Sequence, residues 1–242
     1  IPWFGIRTVD GSFLYRLPQG PLYLPVGPEI GVASTKAFTG QLMIFYILSI
    51  IISEYKNINL ELSNNIKESL IQLPEIYKKI IDTNLELLKE KSKIYKFANN
   101  FLFLGRGYNY PIALEGSLKL KEISYIHAEG YSASEMKHGP IALVDNMMPV
   151  LVIALKDNLY QKIKTNILEV HSRGGDIIII TNEGNTDFDD ISSFIIKLPT
   201  VCEKISPFLS ILPLQLLSYY IAIERGCNVD KPRNLAKCVT VE

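Results

Sequence analysis

The chain has 242 residues, 48 % of them hydrophobic, and its 25 basic and 25 acidic side chains give a formal net charge of zero. That length suits one large domain or two small ones with a real core, and the charge balance offers no electrostatic reason for nucleic acid or an acidic membrane as partner. The 3 cysteines, Cys202, Cys227 and Cys238, lack C-x-x-C spacing, which points to a reduced, cytoplasmic compartment and away from a disulfide framework or a zinc site.

In chain order, the start "IPWFGIRTVDGSF" has no basic segment followed by an apolar core, so it does not read as a signal peptide. It also lacks an initiator methionine, as expected of a chain that begins inside a longer gene product. "FLYRL" and "LYLPV" predict one or two strands in the first 33 residues, too little for a lobe. The apolar run Leu42–Ile52 falls short of the roughly 20 residues of a membrane span and predicts a buried helix. Residues 34–98 read as helices throughout, broken near Pro74, and are expected to bridge two lobes.

From about residue 96 apolar strands alternate with helices. "FLFLG" (101–105), "PVLVIAL" (149–155), "DIIIIT" (176–181) and "FIIKLP" (194–199) predict strands, with helices over 110–124, 158–175 and 206–226. Continuously apolar strands between helices predict a doubly wound α/β domain with a parallel sheet covered on both faces.

Chemistry-bearing residues gather in four places. On a helix over 110–124, at roughly 100° per residue, Glu115, Lys119 and Glu122 share one narrow stripe. Ile112, Leu120 and Ile123 flank it on one side, and Leu114, Leu118 and Tyr125 on the other. The spacing fits either an exposed i,i+4 pair or the wall of a cleft. Next, "YIHAEGYSASEMKHGP" predicts a strand and a short helical turn. Ser132 and Glu135 stand at capping-box spacing, and His138 ends the turn in a polar loop. Third, "GPEIGVASTKAF" (27–38) is a turn into a long helix, with Ser34 or Thr35 as its cap and free N–H groups suited to hydroxyls or anions. Last, "NVDKPRNLAKCVTVE" has no periodicity, but Lys237 stands between apolar neighbours and, if buried there, would become a usable amine nucleophile. "FLGRGYNYP" lacks the third glycine of a dinucleotide loop and reads as a tight turn.

Three of these stretches, "GPEIGVASTKAFTGQL", "FLGRGYNYPIALEGSLKLKEISYIHAEGYSASEMKHGP" and "KPRNLAKCVTVE", together resemble the sugar isomerase part of the glucosamine-6-phosphate synthase family (glutamine–fructose-6-phosphate aminotransferases, isomerising). The likeness runs in order from about Gly27 to Glu242. It implies a flavodoxin-like doubly wound parallel sheet, a sugar isomerase (SIS) domain, over 99–228. Residues 1–98 would be a mostly helical remnant of a first SIS lobe with a helical bridge, and 229–242 a tail contributing to the active site.

The resemblance implies conversion of fructose 6-phosphate and glutamine-derived ammonia to glucosamine 6-phosphate, without cofactor or metal. Glu122 matches the base that moves a proton between C1 and C2, Lys237 the Schiff-base lysine, and His138 a ring-opening histidine supplied by the neighbouring subunit. Lys119 matches a lysine near the reacting carbons and Glu115 an acidic residue beside the sugar. Val32, Ala33 and Ser34 match the substrate-contacting turn. A sugar phosphate and a homodimer partner are implied, and neither nucleic acid nor a membrane. Nothing here matches the family's glutaminase domain or the phosphate-gripping loops of its first SIS lobe. A truncated chain that binds fructose 6-phosphate poorly is therefore expected, and a non-catalytic sugar-phosphate-binding module or an inactive self-associating fragment stand as alternative readings.

Overall fold

A computed structural model describes residues 4–7 and 20–237. The chain divides into two compact units, Ile1–Lys67 with Asp230–Glu242, and Glu68–Val229.

In the first unit, strands β1 (Phe4–Arg7) and β2 (Gly20–Tyr23) pair in parallel, with Ile6 opposite Leu22. The expected strand "FLYRL" lies outside the described residues. Helix α1 (Lys36–Lys56) ends at Asn57, whose left-handed backbone closes the last turn (φ 54°). Only Ala37 and Ile50 of this helix are buried, while Phe45, Ile47, Ile51 and Ile52 are exposed. The expectation of a buried helix is thus corrected. The apolar run forms a helix, but most of its apolar side chains are half-buried or exposed. By length and composition α1 could cross a membrane, a test that the largely buried helix over Glu203–Glu224 also passes. Helix α2 (Leu60–Ile71) runs across the division between the units.

The second unit continues with α3 (Leu73–Tyr95), then β3 (Asn100–Gly105), α4 (Asn109–Ser124), β4 (His127–Ser132) and two 3₁₀ turns, Ala133–His138 and Pro140–Leu143. It ends with β5 (Pro149–Ile153), α5 (Tyr160–His171), β6 (Asp176–Asn182), β7 (Phe194–Leu198) and α6 (Ser206–Glu224). All strand pairs are parallel and the order is β4-β3-β5-β6-β7. This is the flavodoxin-like winding, in which the first strand of the unit lies second in the sheet.

Burial follows the side chains. β3, β5 and β6 are buried at nearly every position because helices cover both faces of the sheet. β7 alternates buried and half-buried residues, as an edge strand does. Asn84 of α3 closes that edge. Its side chain donates to the Lys197 carbonyl (3.0 Å) and accepts from the Lys197 N–H (3.2 Å), which satisfies backbone groups the sheet leaves unpaired. One face of the sheet packs Leu104, Val152, Ile167, Val170 and Ile179 around Met136. Across it, the Phe101 and Phe103 rings lie 5.0 Å apart, and Tyr95 stands 5.8 Å from Phe101.

Gly105 sets the turn from β3 into α4. A Cβ there would stand 2.2 Å from the Asn109 carbonyl oxygen and 2.9 Å from the Tyr110 nitrogen, both backbone atoms. Gly105→Ala is expected to cost about 3 kcal/mol by overpacking. Urea unfolding should show a lower midpoint with an unchanged slope.

Candidate active site

Helix α4 is fixed at both ends. At its start the Ser210 hydroxyl of α6 donates to Asn109 Oδ1 (2.7 Å), both residues buried. At its end Tyr125 takes the left-handed conformation (φ 64°) and its N–H returns to the Lys121 carbonyl (3.2 Å). Ile112, Leu120 and Ile123 point into the core, while Leu114 and Leu118 remain exposed, so the helix presents its polar stripe between a packed and a bare flank.

Three of the predicted residues meet on that stripe. Lys119 Nζ donates to Glu122 Oε2 at 2.6 Å and lies 3.4 Å from Glu115 Oε1. The Lys119 side chain is only 3 % exposed, against 13 % for Glu115 and 23 % for Glu122. A surface i,i+4 pair would be solvated at both ends, so the cleft-wall reading fits this burial better. Two carboxylates share one ammonium in a half-dry setting. Burial pushes the Glu115 carboxyl above its ordinary range, the Lys119 charge and hydrogen bond pull it back, and nearby Glu122 pushes it up again. Glu115 is thereby driven toward its neutral form while Glu122 keeps the short contact to the ammonium.

The segment after β4 orients His138. In a 3₁₀ turn residues i and i+3 eclipse, so Ala133 and Met136 share the face that packs into the core, at 0 % and 1 % exposure. Glu135 and His138 then share the outward face, both exposed. The turn was foreseen, but the capping box is not formed. The Ser132 side chain makes no cap bond and lies 2.6 Å from the Ser134 hydroxyl instead. Among the described residues no hydrogen bond or ion pair joins His138 to the α4 trio.

In the first unit the predicted turn and tail lysine come together. Lys237 Nζ donates to Glu29 Oε2 (2.8 Å) and to the Gly31 carbonyl (2.9 Å), with the Val32 carbonyl at 3.5 Å. The Val32 N–H donates to the Asp230 carbonyl (3.0 Å), which ties the tail to the turn, and Ala33 and Ser34 follow half-buried. Two expectations are corrected here. Lys237 is not buried among apolar neighbours, since its side chain is 43 % exposed and its contacts are a carboxylate and carbonyls. Nor does Ser34 or Thr35 cap α1 by its side chain. Glu29 does so, accepting from the Thr35 N–H (2.8 Å) and the Ala37 N–H (3.4 Å). The signal for Glu29 was an acidic residue shortly before a helix start, where the helix dipole favours negative charge.

Among the described residues, two cavities lie away from the predicted residues. A pocket at the carboxyl ends of β5, β6 and β7 holds about 30 Å³, room for one water rather than a sugar. A groove of about 610 Å³ over Lys89, Lys93 and Tyr220 carries none of the predicted residues. Among the described residues no group of three or more metal-ligating side chains converges.

Comparison with known proteins adds the following. Residues 94–225 match the model of the SIS domain. The chain is 51 % identical over 239 residues to glutamine–fructose-6-phosphate aminotransferase (isomerizing) of Chlorobaculum tepidum, which covers 98 % of this chain and 39 % of that protein. The enzyme of the same name from Bacteroides thetaiotaomicron is 49 % identical over 240 residues, 99 % of this chain and 39 % of that protein. Among solved structures, the C-terminal domain of glucosamine-fructose-6-phosphate aminotransferase from Francisella tularensis superposes with a TM-score of 0.88. It is 38 % identical, over 94 % of this chain and 64 % of that one. Glucosamine-6-phosphate deaminase from Thermotoga maritima gives a TM-score of 0.75 at 28 % identity, over 98 % of this chain and 66 % of that one. The chain thus spans 39 % of the length of these curated relatives.

Proposed function

Because the chain belongs to the SIS-domain family, we propose that it is the C-terminal isomerase part of a glutamine–fructose-6-phosphate aminotransferase, which forms glucosamine 6-phosphate in amino-sugar synthesis. The observation that carries this reading is 51 % identity to a protein of that name over 98 % of the chain. In this reading 1–98 is the remnant of a first SIS lobe with its bridge, 99–228 the second SIS domain, and 229–242 the catalytic tail. The missing glutaminase domain and first lobe, a second copy of the chain, and a cytoplasmic setting belong to the same proposal.

The family resemblance supports the following residue roles. His138, from the neighbouring copy, opens the sugar ring. The Lys237 amine attacks C2 of the open-chain ketose, and the carbonyl oxygen leaves as water to give an imine. Ammonia displaces the lysine. Glu122 then removes a proton from C1 as the C1–C2 double bond forms and the imine nitrogen takes up a proton, which gives the enolamine. Return of a proton to C2 and loss of the C1 hydroxyl proton leave the nitrogen on C2 and an aldehyde at C1. Overall, fructose 6-phosphate and ammonia give glucosamine 6-phosphate and water. Lys119, beside Glu122, steadies the charge that develops on the enolamine. Glu115 and the Val32–Ala33–Ser34 turn hold the sugar hydroxyls.

Calorimetry of the chain with fructose 6-phosphate, followed by borohydride trapping and peptide mapping, tests the proposal. A mass increment on Lys237 is expected. Binding without an increment would identify a non-catalytic sugar-phosphate module, and neither signal an inactive self-associating fragment.

A further inference from the structure

The Lys237 ammonium is held by three acceptors of its own unit. Glu29 Oε2 and the Gly31 carbonyl take two of its hydrogens at ordinary hydrogen-bond length, and the Val32 carbonyl stands within 3.5 Å. An amine in that state has no lone pair to offer. The carboxylate that faces it is fixed independently. The Glu29 side chain is only 9 % exposed, and its other oxygen accepts from the first N–H groups of α1. Two other charged groups stand by the turn: Lys36, whose ammonium is turned to the Pro28 carbonyl (2.8 Å), and Asp230, whose carboxylate lies beside Gly31.

We propose that Glu29 is the positioning residue of the tail amine, storing Lys237 as an ammonium pinned to the Gly31–Val32 turn, so that an incoming carbonyl compound must open this pair before the amine can attack. The catalytic value of such a store rests on the function proposed for Lys237 above, whereas the pair itself stands on the geometry. Glu29 remains a carboxylate throughout the range in which enzymes work. Burial pushes its pKa up, but the hydrogen bond from Lys237, the Thr35 and Ala37 N–H groups and the Lys237 charge outweigh burial and hold it at about 2. Glu29 is therefore a permanent counter-ion and not the acceptor of the amine's proton. On release one N–H proton passes to solvent and the nitrogen bonds the carbonyl carbon. The carbonyl oxygen then departs as water with the two remaining amine protons. A store of this kind keeps an exposed lysine from reacting with stray aldehydes.

The test uses this chain and pyridoxal 5′-phosphate, a small aldehyde, with borohydride reduction and peptide mapping. Glu29→Gln keeps the shape and the acceptor for the α1 N–H groups, and removes both the charge and the acceptor that faces Lys237. It is expected to raise labelling of Lys237 about tenfold, the size of one lost charge-assisted hydrogen bond, with Lys231 of the same tail unchanged. Glu29→Asp should fall between the two. Equal labelling of Lys237 in wild type and Glu29→Gln would overturn the proposal. A parallel rise at Lys231 would also overturn it, because the tail would merely have loosened. Failure of the catalytic reading is seen separately, as a wild-type Lys237 that gains no adduct from fructose 6-phosphate while the labelling contrast persists.

Discussion

Glu122→Gln is expected to lower the isomerisation of fructose 6-phosphate by about 10²–10⁴-fold, the ordinary contribution of one positioned acid–base group. The measurement belongs in a protein of the relatives' full length that carries this chain as its C-terminal part, with exchange of the C1 hydrogen into deuterated water as the direct readout. Glutamine is isosteric and can still accept from Lys119 Nζ, now 2.6 Å from Glu122 Oε2, so α4 keeps its packing. The lost function is proton removal alone. Trapping at Lys237 should therefore survive in this variant while exchange at C1 disappears. Exchange at the wild-type rate would remove Glu122 from the mechanism and return the α4 trio to a structural role.

Lys119→Met should reduce stability by about 3 kcal/mol, as when one partner of a buried ion pair is removed. In a chain of this size that is roughly 6–12 °C in Tm. The ammonium is 3 % exposed and serves both carboxylates, so its loss leaves Glu115 and Glu122 facing each other without a counter-ion. For Glu115 the two causes that remain, burial and Glu122, both favour the neutral form. The sign follows from proton linkage. A carboxyl whose folded-state pKa lies above its unfolded value holds its proton longer in the native state. Its burden on stability is absent below the ordinary value of 4.5, grows as pH rises toward the folded value, and is constant beyond it. The variant's deficit should thus widen on raising pH from 4 and then level off. Glu115→Gln in the same background should recover part of it. A deficit independent of pH would mean that lost packing of the lysine stem, not charge, dominates.

Legibility in the sequence tracked the range of the interaction. The strands "FLFLG" and "DIIIIT" could be read because a strand covered on both faces must be apolar at every residue. The Glu115–Lys119–Glu122 stripe could be read because helical spacing alone puts i, i+4 and i+7 side by side. The His138 turn was found from Gly139–Pro140, although the expected Ser132 cap did not form. By contrast, the partial exposure of α1 is not legible in the sequence, because composition reports how apolar a helix is and not whether a partner covers it. Glu29 was overlooked as the cap of α1 because Ser34 and Thr35 are the commoner capping residues and stand closer to the helix.

The amino-acid sequence by itself determined the parallel α/β class of the sheet, the charged stripe on α4 and the turn that carries His138, since each arises from contacts within a few residues or from the periodicity of one element. Tertiary structure alone decided that Lys119 is buried, that α1 is covered only in part, and that Lys237 is an ion-paired ammonium rather than an apolar amine. The last depends on Glu29, 208 residues away along the chain. Local pattern carries no information about such a partner, and the electrostatic state of a side chain is set by what surrounds it in space.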